Sequence, residues 1–137
     1  QRLVQVARYA VIYPIDGRRP RLVLLPCTDD WDQACGCPVH TEDLDVRCWF
    51  GGKPSVDRVR RFPGTQCYLT NGFDILFSRQ PEESEPHDAN RALQESFAID
   101  WHGSLLVVKQ GRRNCGHAVH ITSPEIGLVG TLVQRYV

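Results

Sequence analysis

The sequence predicts an α+β fold, mainly an antiparallel sheet of hairpins with two or three short helices, one of them C-terminal. Three observations predict it. β-Branched and aromatic residues crowd Leu3 to Tyr13 and resume at Leu22 after turn chemistry; Asn71-Gly72 divides two apolar runs; and Ser123-Pro124-Glu125 opens an amphipathic segment that runs to Val137. With 137 residues, the chain is expected to form one domain, residues 1–137, that can bury a core without a metal or a disulfide.

Each element follows from local chemistry. Pro14-Ile15-Asp16-Gly17 supplies a turn before the apolar run Leu22 to Leu25, which makes a first hairpin. Thr28 to Thr41 holds neither a helical nor a strand period and carries Asp29, Asp30 and Asp32, so a long loop is expected, returning to a strand near Val46 to Phe50. After Gly51-Gly52, Ser55 is expected to cap a short helix with Val56, Val59 and Phe62 inward, ended by Pro63-Gly64. Gln66 to Thr70 and Phe73 to Ser78 then read as a hairpin about Asn71-Gly72, because a type I′ turn needs positive φ at both central residues.

The stretch from Gln80 to His87 combines Pro81 and Pro86 with Glu82, Glu83 and Glu85 and has no apolar side chains to order it, so it reads as an exposed loop. Asp88 is the expected cap of a helix in which Ala89, Ala92, Leu93 and Phe97 recur at helical spacing. Leu105 to Lys109 reads as a buried strand, Gln110 to Gly116 as a turn and Ala118 to Ile121 as the partner strand. Ser123 as cap and Pro124 at the first helical position start the last helix, which lines up Val129, Leu132, Val133, Tyr136 and Val137. Gly127 and Gly130 weaken its early turns.

The 16 basic and 16 acidic residues cancel, which excludes a global field toward nucleic acid or an anionic membrane. No apolar run is long enough for a membrane span, and Gln1-Arg2-Leu3-Val4 lacks the regions of a signal peptide. With no methionine in the chain, Gln1 is not expected to be the translation start.

Chemistry concentrates in the Cys/His-rich acidic segment Cys27-x7-Cys35-x-Cys37-x2-His40, with Cys48 in reserve. Structural zinc takes four thiolate or imidazole ligands in a tetrahedron. Cys35 and Cys37 are too close in sequence to form a relaxed disulfide with each other, yet both can reach one metal from a turn shaped by Gly36 and Pro38. Cys27, Cys35, Cys37 and His40 are therefore the expected zinc ligands. The surrounding Asp29, Asp30, Asp32, Glu42, Asp43 and Asp45 raise thiol pKa values, which argues against a nucleophilic cysteine. Cys35-Gly-Cys37-Pro-Val39-His40 is echoed by Cys115-Gly-His117-Ala-Val119-His120. On a strand His117 and His120 face opposite sides and cannot share a metal without a bend, whereas a composite site joining that hairpin to Cys35 and Cys37 is open.

Asp100, His102 and Ser104 resemble a triad only in order, since residues two apart on an extended strand lie too far apart for its hydrogen bonds. Basic residues fall in three patches: Arg18, Arg19 and Arg21; Lys53, Arg58, Arg60 and Arg61; and Lys109, Arg112 and Arg113. Were the fold to join them, they would make a phosphate-binding surface with Trp49 or Trp101 for stacking; otherwise they solvate turns.

The leading reading is an intracellular, non-catalytic domain that binds a protein partner and carries a structural zinc. The alternatives are a secreted, disulfide-stabilised effector or binding protein, suggested by the even count of six cysteines, and an enzyme using a metal or a Cys/His pair.

Overall fold

The computed structural model describes residues 6–32, 38–78, 88–112 and 117–137, and of Arg112 only the backbone. Its strands are β1 (Ala7–Tyr13), β2 (Arg21–Pro26), β3 (Ser55–Arg61), β4 (Tyr68–Phe77), β5 (Leu105–Arg112) and β6 (Ala118–Val119). They form a six-stranded antiparallel sheet in the order β2-β1-β5-β4-β3, with β6 also paired to β5. Two α-helices accompany it, α1 (Arg91–Phe97) and the C-terminal α2 (Ile126–Tyr136). The α+β class and the antiparallel sheet agree with the sequence.

The central strand explains the arrangement. β5 pairs with β4 along one side, and on the other with β1 at Leu105 to Val107 and with β6 at Lys109 and Gln110. Leu105, Leu106, Val107 and Val108 are all buried, as a strand covered on both faces requires. Alternation then divides the core. Val11, Tyr13, Phe73, Ile75, Leu105 and Val107 face α1 and α2, meeting Leu93, Val129, Leu132 and Val133. Ala10, Ile12, Leu76, Leu106 and Val108 face the other way, away from α1 and α2; Val39, Leu44 and Phe50 of the 38–50 loop cover them.

Several expectations need correction. Ser55 to Arg61 is an edge strand and not a helix: Val56 pairs with Leu76 and Val59 with Phe73, so the two valines serve opposite faces. Asn71-Gly72 makes no turn. It lies inside the ten-residue β4, where the register with β5 shifts between Asn71 and Phe73, and Asn71 Nδ2 donates to the Gln110 carbonyl at 2.9 Å. Neither residue is among those with positive φ, so the pair follows the strand through this irregularity. The turn that joins β3 to β4 instead spans Phe62 to Cys67, with Gly64 at φ +79° and Thr65 Oγ1 donating to the Phe62 carbonyl at 2.7 Å. Val46 to Phe50 is a turn and not a strand, closed by Phe50 N on the Val46 carbonyl at 3.1 Å.

Helix starts are displaced by one or two residues. Asn90, not Asp88, caps α1: its Oδ1 accepts from Leu93 N at 2.9 Å while its Nδ2 donates to the carbonyls of Tyr13 (2.7 Å) and Gly103 (2.9 Å). This buried amide thus ties helix, sheet and loop with its polar groups satisfied. At the last helix Thr122 is the cap of a 3-10 turn over Ser123–Glu125 that leads into α2, and the Glu125 carboxylate accepts from both Thr122 N and Thr122 Oγ1. Gly130 is buried; a Cβ there would lie 3.4 Å from Phe97 Cζ, so the glycine marks close helix packing.

Candidate metal centre and basic edge

The 38–50 loop is built onto the sheet from its polar groups outward. The Val39 carbonyl accepts from Ala118 N of β6 at 2.8 Å, and Leu44 bridges to Cys27 at the end of β2. Between them, Thr41–Asp43 forms a 3-10 turn in which the Asp43 carboxylate accepts from His40 N at 2.9 Å. Thr28 N donates to the Asp43 carbonyl and Asp45 N to the Pro26 carbonyl, each at 2.7 Å.

A buried polar network fixes the middle of the loop. The Asp74 carboxylate on β4 is fully buried and accepts from Thr41 Oγ1 at 2.6 Å, Gln110 Nε2 at 2.7 Å and Arg58 Nε at 2.9 Å. The carboxylate in turn pushes the Arg58 guanidinium pKa up, chiefly through this hydrogen bond. A buried charge held by three donors is the arrangement that low dielectric demands. Sequence reading missed the network, because its members lie on four separate segments and none belongs to a recognisable motif.

The ligands expected for zinc are distributed unevenly. Cys35 and Cys37 lie outside the described residues, as does Cys115. Cys27 is buried in the apolar cluster with Val39 and Leu44. Its thiol pKa is raised, first by burial and then by Asp43, with Arg8 opposing. Forming a thiolate there is unfavourable. Cys48 and Cys67 are exposed free thiols. Among the described residues no group of three or more His, Cys, Asp or Glu side chains is placed to hold a metal ion.

His40 nevertheless has a specific neighbour. Its ring centre lies 5.8 Å from that of His117, the planes at 78°. The Val39 to Ala118 hydrogen bond brings the two segments side by side, so the Cys35–His40 and Cys115–His120 echo is a spatial juxtaposition at its described ends. His120 turns elsewhere, its Nδ1 accepting from Tyr9 N at 3.0 Å and its ring 5.6 Å from that of Tyr9. Burial, and then Arg8, hold the His120 pKa below its usual range.

The three basic patches do not converge. Arg18, Arg19 and Arg21 flank the β1–β2 turn, at the end of the sheet where Tyr13 pairs with Leu105. Arg61 and the Arg112 backbone lie toward the other end, where β3 meets Tyr68 and β5 meets Asn71. The eight residues of β5 separate these ends by roughly 25 Å. Arg113 lies outside the described residues. Several cations are also engaged: Arg21 stacks on Trp49 at 5.4 Å, Arg61 on Tyr68 at 4.6 Å, and Lys109 pairs with Glu125 at 2.6 Å.

Asp100 and His102 do meet, Oδ1 to Nε2 at 3.3 Å, because residues 98–101 are irregular rather than extended strand. The Asp100 side chain is 90% exposed and that of His102 47%, so the pair is open to solvent. None of the described helices is long and apolar enough to cross a membrane. No family model matches this chain, and no curated protein or solved structure shows significant similarity to it.

Proposed function

We propose that the chain is a non-catalytic binding domain in which a structural zinc ion joins the segment ending at His40 to the segment beginning at His117. The observation that carries this reading is the 5.8 Å separation of the two imidazole centres. Zn–N bonds of about 2.0–2.1 Å in a tetrahedron put the centres of two ligating rings roughly 5 Å apart, so less than 1 Å of adjustment is needed. Cys37 stands three residues before His40, Cys35 five before it, and Cys115 two before His117. Sequence spacing thus offers thiolates to complete the set.

Cys27 is the weakest of the expected ligands, since its raised pKa and apolar packing favour the neutral thiol. The 38–50 loop is held by Thr41, Val39 and Leu44 without a metal. Zinc would therefore act on the segment before residue 38 and not on the whole loop. A disulfide framework is the second reading; among the described residues Cys27, Cys48 and Cys67 form no disulfide with one another.

Elemental analysis of protein purified without chelators tests the proposal. Close to one zinc per chain is expected, falling sharply in both His40→Ala and His117→Ala. A ratio near zero in the unaltered protein sinks the idea, and retention of full zinc by both variants removes these histidines from the site.

A further inference from the structure

We infer that β3 is a docking edge for an extended peptide that carries an apolar residue and, four positions along, an acidic one. This rests on the reading of the chain as a binding domain and needs none of its metal chemistry. Among the described residues β3 pairs only with β4, so every second N–H and C=O of Ser55–Arg61 is turned away from the sheet. Such a row is a template for one more strand.

What lies beside the row gives the partner its chemistry. A cavity of about 370 Å³ opens next to the start of β3, with Leu44, Val46, Val56 and Leu76 among its lining residues and Lys53 and Glu42 also bordering it. Val56 is 52% exposed there although it pairs with buried Leu76. An aliphatic side chain opposite Val56 would fill this space. Specificity in strand addition comes from such pockets for alternate side chains.

Charge sets the other end. Val56, Arg58 and Arg60 follow one another at the two-residue period of a strand face. Arg58 is committed to Asp74, whereas Arg60 makes no hydrogen bond or ion pair with any described residue. Asp57, on the opposite face, is engaged by the Tyr136 hydroxyl at 2.8 Å. A carboxylate is thus attracted to Arg60, whereas at the cavity the opposite charges of Glu42 and Lys53 offset each other. Charged side chains also guard edge strands against self-association, but that role alone gives no reason for an adjoining apolar cavity. Nucleic acid fits less well, because an aliphatic cavity beside a backbone ladder offers bases no stacking surface.

Two fluorescein-labelled probes, containing Glu-Thr-Glu-Thr-Val for antiparallel and Val-Thr-Glu-Thr-Glu for parallel addition, decide the matter by anisotropy. One of them is expected to bind roughly tenfold or more tightly than its lysine-for-glutamate counterpart. Arg60→Glu and Val56→Glu should each weaken binding by a similar factor, and Arg18→Glu, beside the opposite edge of the sheet, should not. Amide shift mapping on the unaltered protein should confine the response to β3 and the cavity rim, which keeps the test valid if a variant misfolds. No binding by either probe, binding insensitive to both β3 variants, or preference for a single-stranded oligonucleotide with shifts on the same strand overturns the inference. Zinc content measured on the same samples separates its failure from that of the metal reading, since either can fail while the other stands.

Discussion

Arg58 on the edge strand reaches the fully buried carboxylate of Asp74, with Nε 2.9 Å from Oδ1 and the second guanidinium nitrogen 3.3 Å from Oδ2. The same carboxylate holds Thr41 of the covering loop. One charge therefore joins the sheet edge to the loop.

Removing Arg58 leaves that charge buried with neutral donors only. Breaking a buried pair typically costs about 3–5 kcal/mol. The Arg58 side chain is 38% exposed, so solvent screening lowers the expectation for Arg58→Met to about 2 kcal/mol. Urea denaturation measures it, and a change under about 0.5 kcal/mol would contradict the role given to the pair. Thr41→Val should cost about 1 kcal/mol and speed proteolysis within 38–50 while leaving the β1–β2 hairpin protected.

Ala98 ends α1 in the left-handed region, at φ +54° and ψ +37°, with its N–H on the Gln94 carbonyl at 2.9 Å. A side chain is disfavoured at this position by its Cβ, and glycine is not. Ala98→Gly should raise stability by about 0.5–1 kcal/mol. A lower midpoint in thermal or urea unfolding would refute the assignment of strain to this cap.

Gly130 offers the converse case. It lies within α2, where φ is helical, and a Cβ would meet Phe97 Cζ at 3.4 Å and Tyr13 Oη at 3.6 Å, both ordinary contacts. Gly130→Ala should gain about 0.5–1 kcal/mol from helix propensity. Gly130→Leu should instead destabilise, since its extra atoms have to displace the Phe97 and Tyr13 rings. If alanine destabilises as leucine does, the packing at this crossing is tighter than described.

His120 makes stability depend on pH. Burial and then Arg8 depress its pKa, and a protonated Nδ1 could no longer accept from Tyr9 N. The unfolded chain consequently binds more protons once the pH falls below about 6.5. The contribution is complete above that value and is lost as pH falls through the depressed native pKa. Glu125 and Asp45, whose pKa values are also lowered, act in a more acid window, below about pH 4.5. Unfolding free energy should thus decline between pH 7 and 5 in the unaltered protein, and less so in His120→Gln. Equal slopes would assign the decline to other groups.

The parts of the fold legible in the sequence were those where one period dominates. Leu105 to Lys109 reads as a buried strand, and Val129, Leu132 and Val133 as a helix face. Ser55 to Arg61 misled because Val56 and Val59, three apart, imitate a helical face while serving two faces of a strand. Asn71-Gly72 misled because residues that permit a hairpin turn do not compel one, and pairing with β3 and β5 keeps them within β4. At the candidate site, the echo between Cys35–His40 and Cys115–His120 was the one signal for the meeting of His40 and His117. Asp74, Thr41 and Gln110 gave no such signal, being ordinary polar residues 33 and 36 positions from one another along the chain.

The two faces of the sheet are covered by different kinds of structure, and this sets how the molecule would fail. Helices shield Val107 and Ile75, whereas the opposite face, with Leu76, Leu106 and Val108, is shielded by a loop. A loop can lift away in a local opening while the strands stay paired. The species so formed would be a nearly intact sheet with one bare oily side, primed to stick to its own kind. Damage to the loop clamp should therefore announce itself as concentration-dependent clumping before any strand structure is lost.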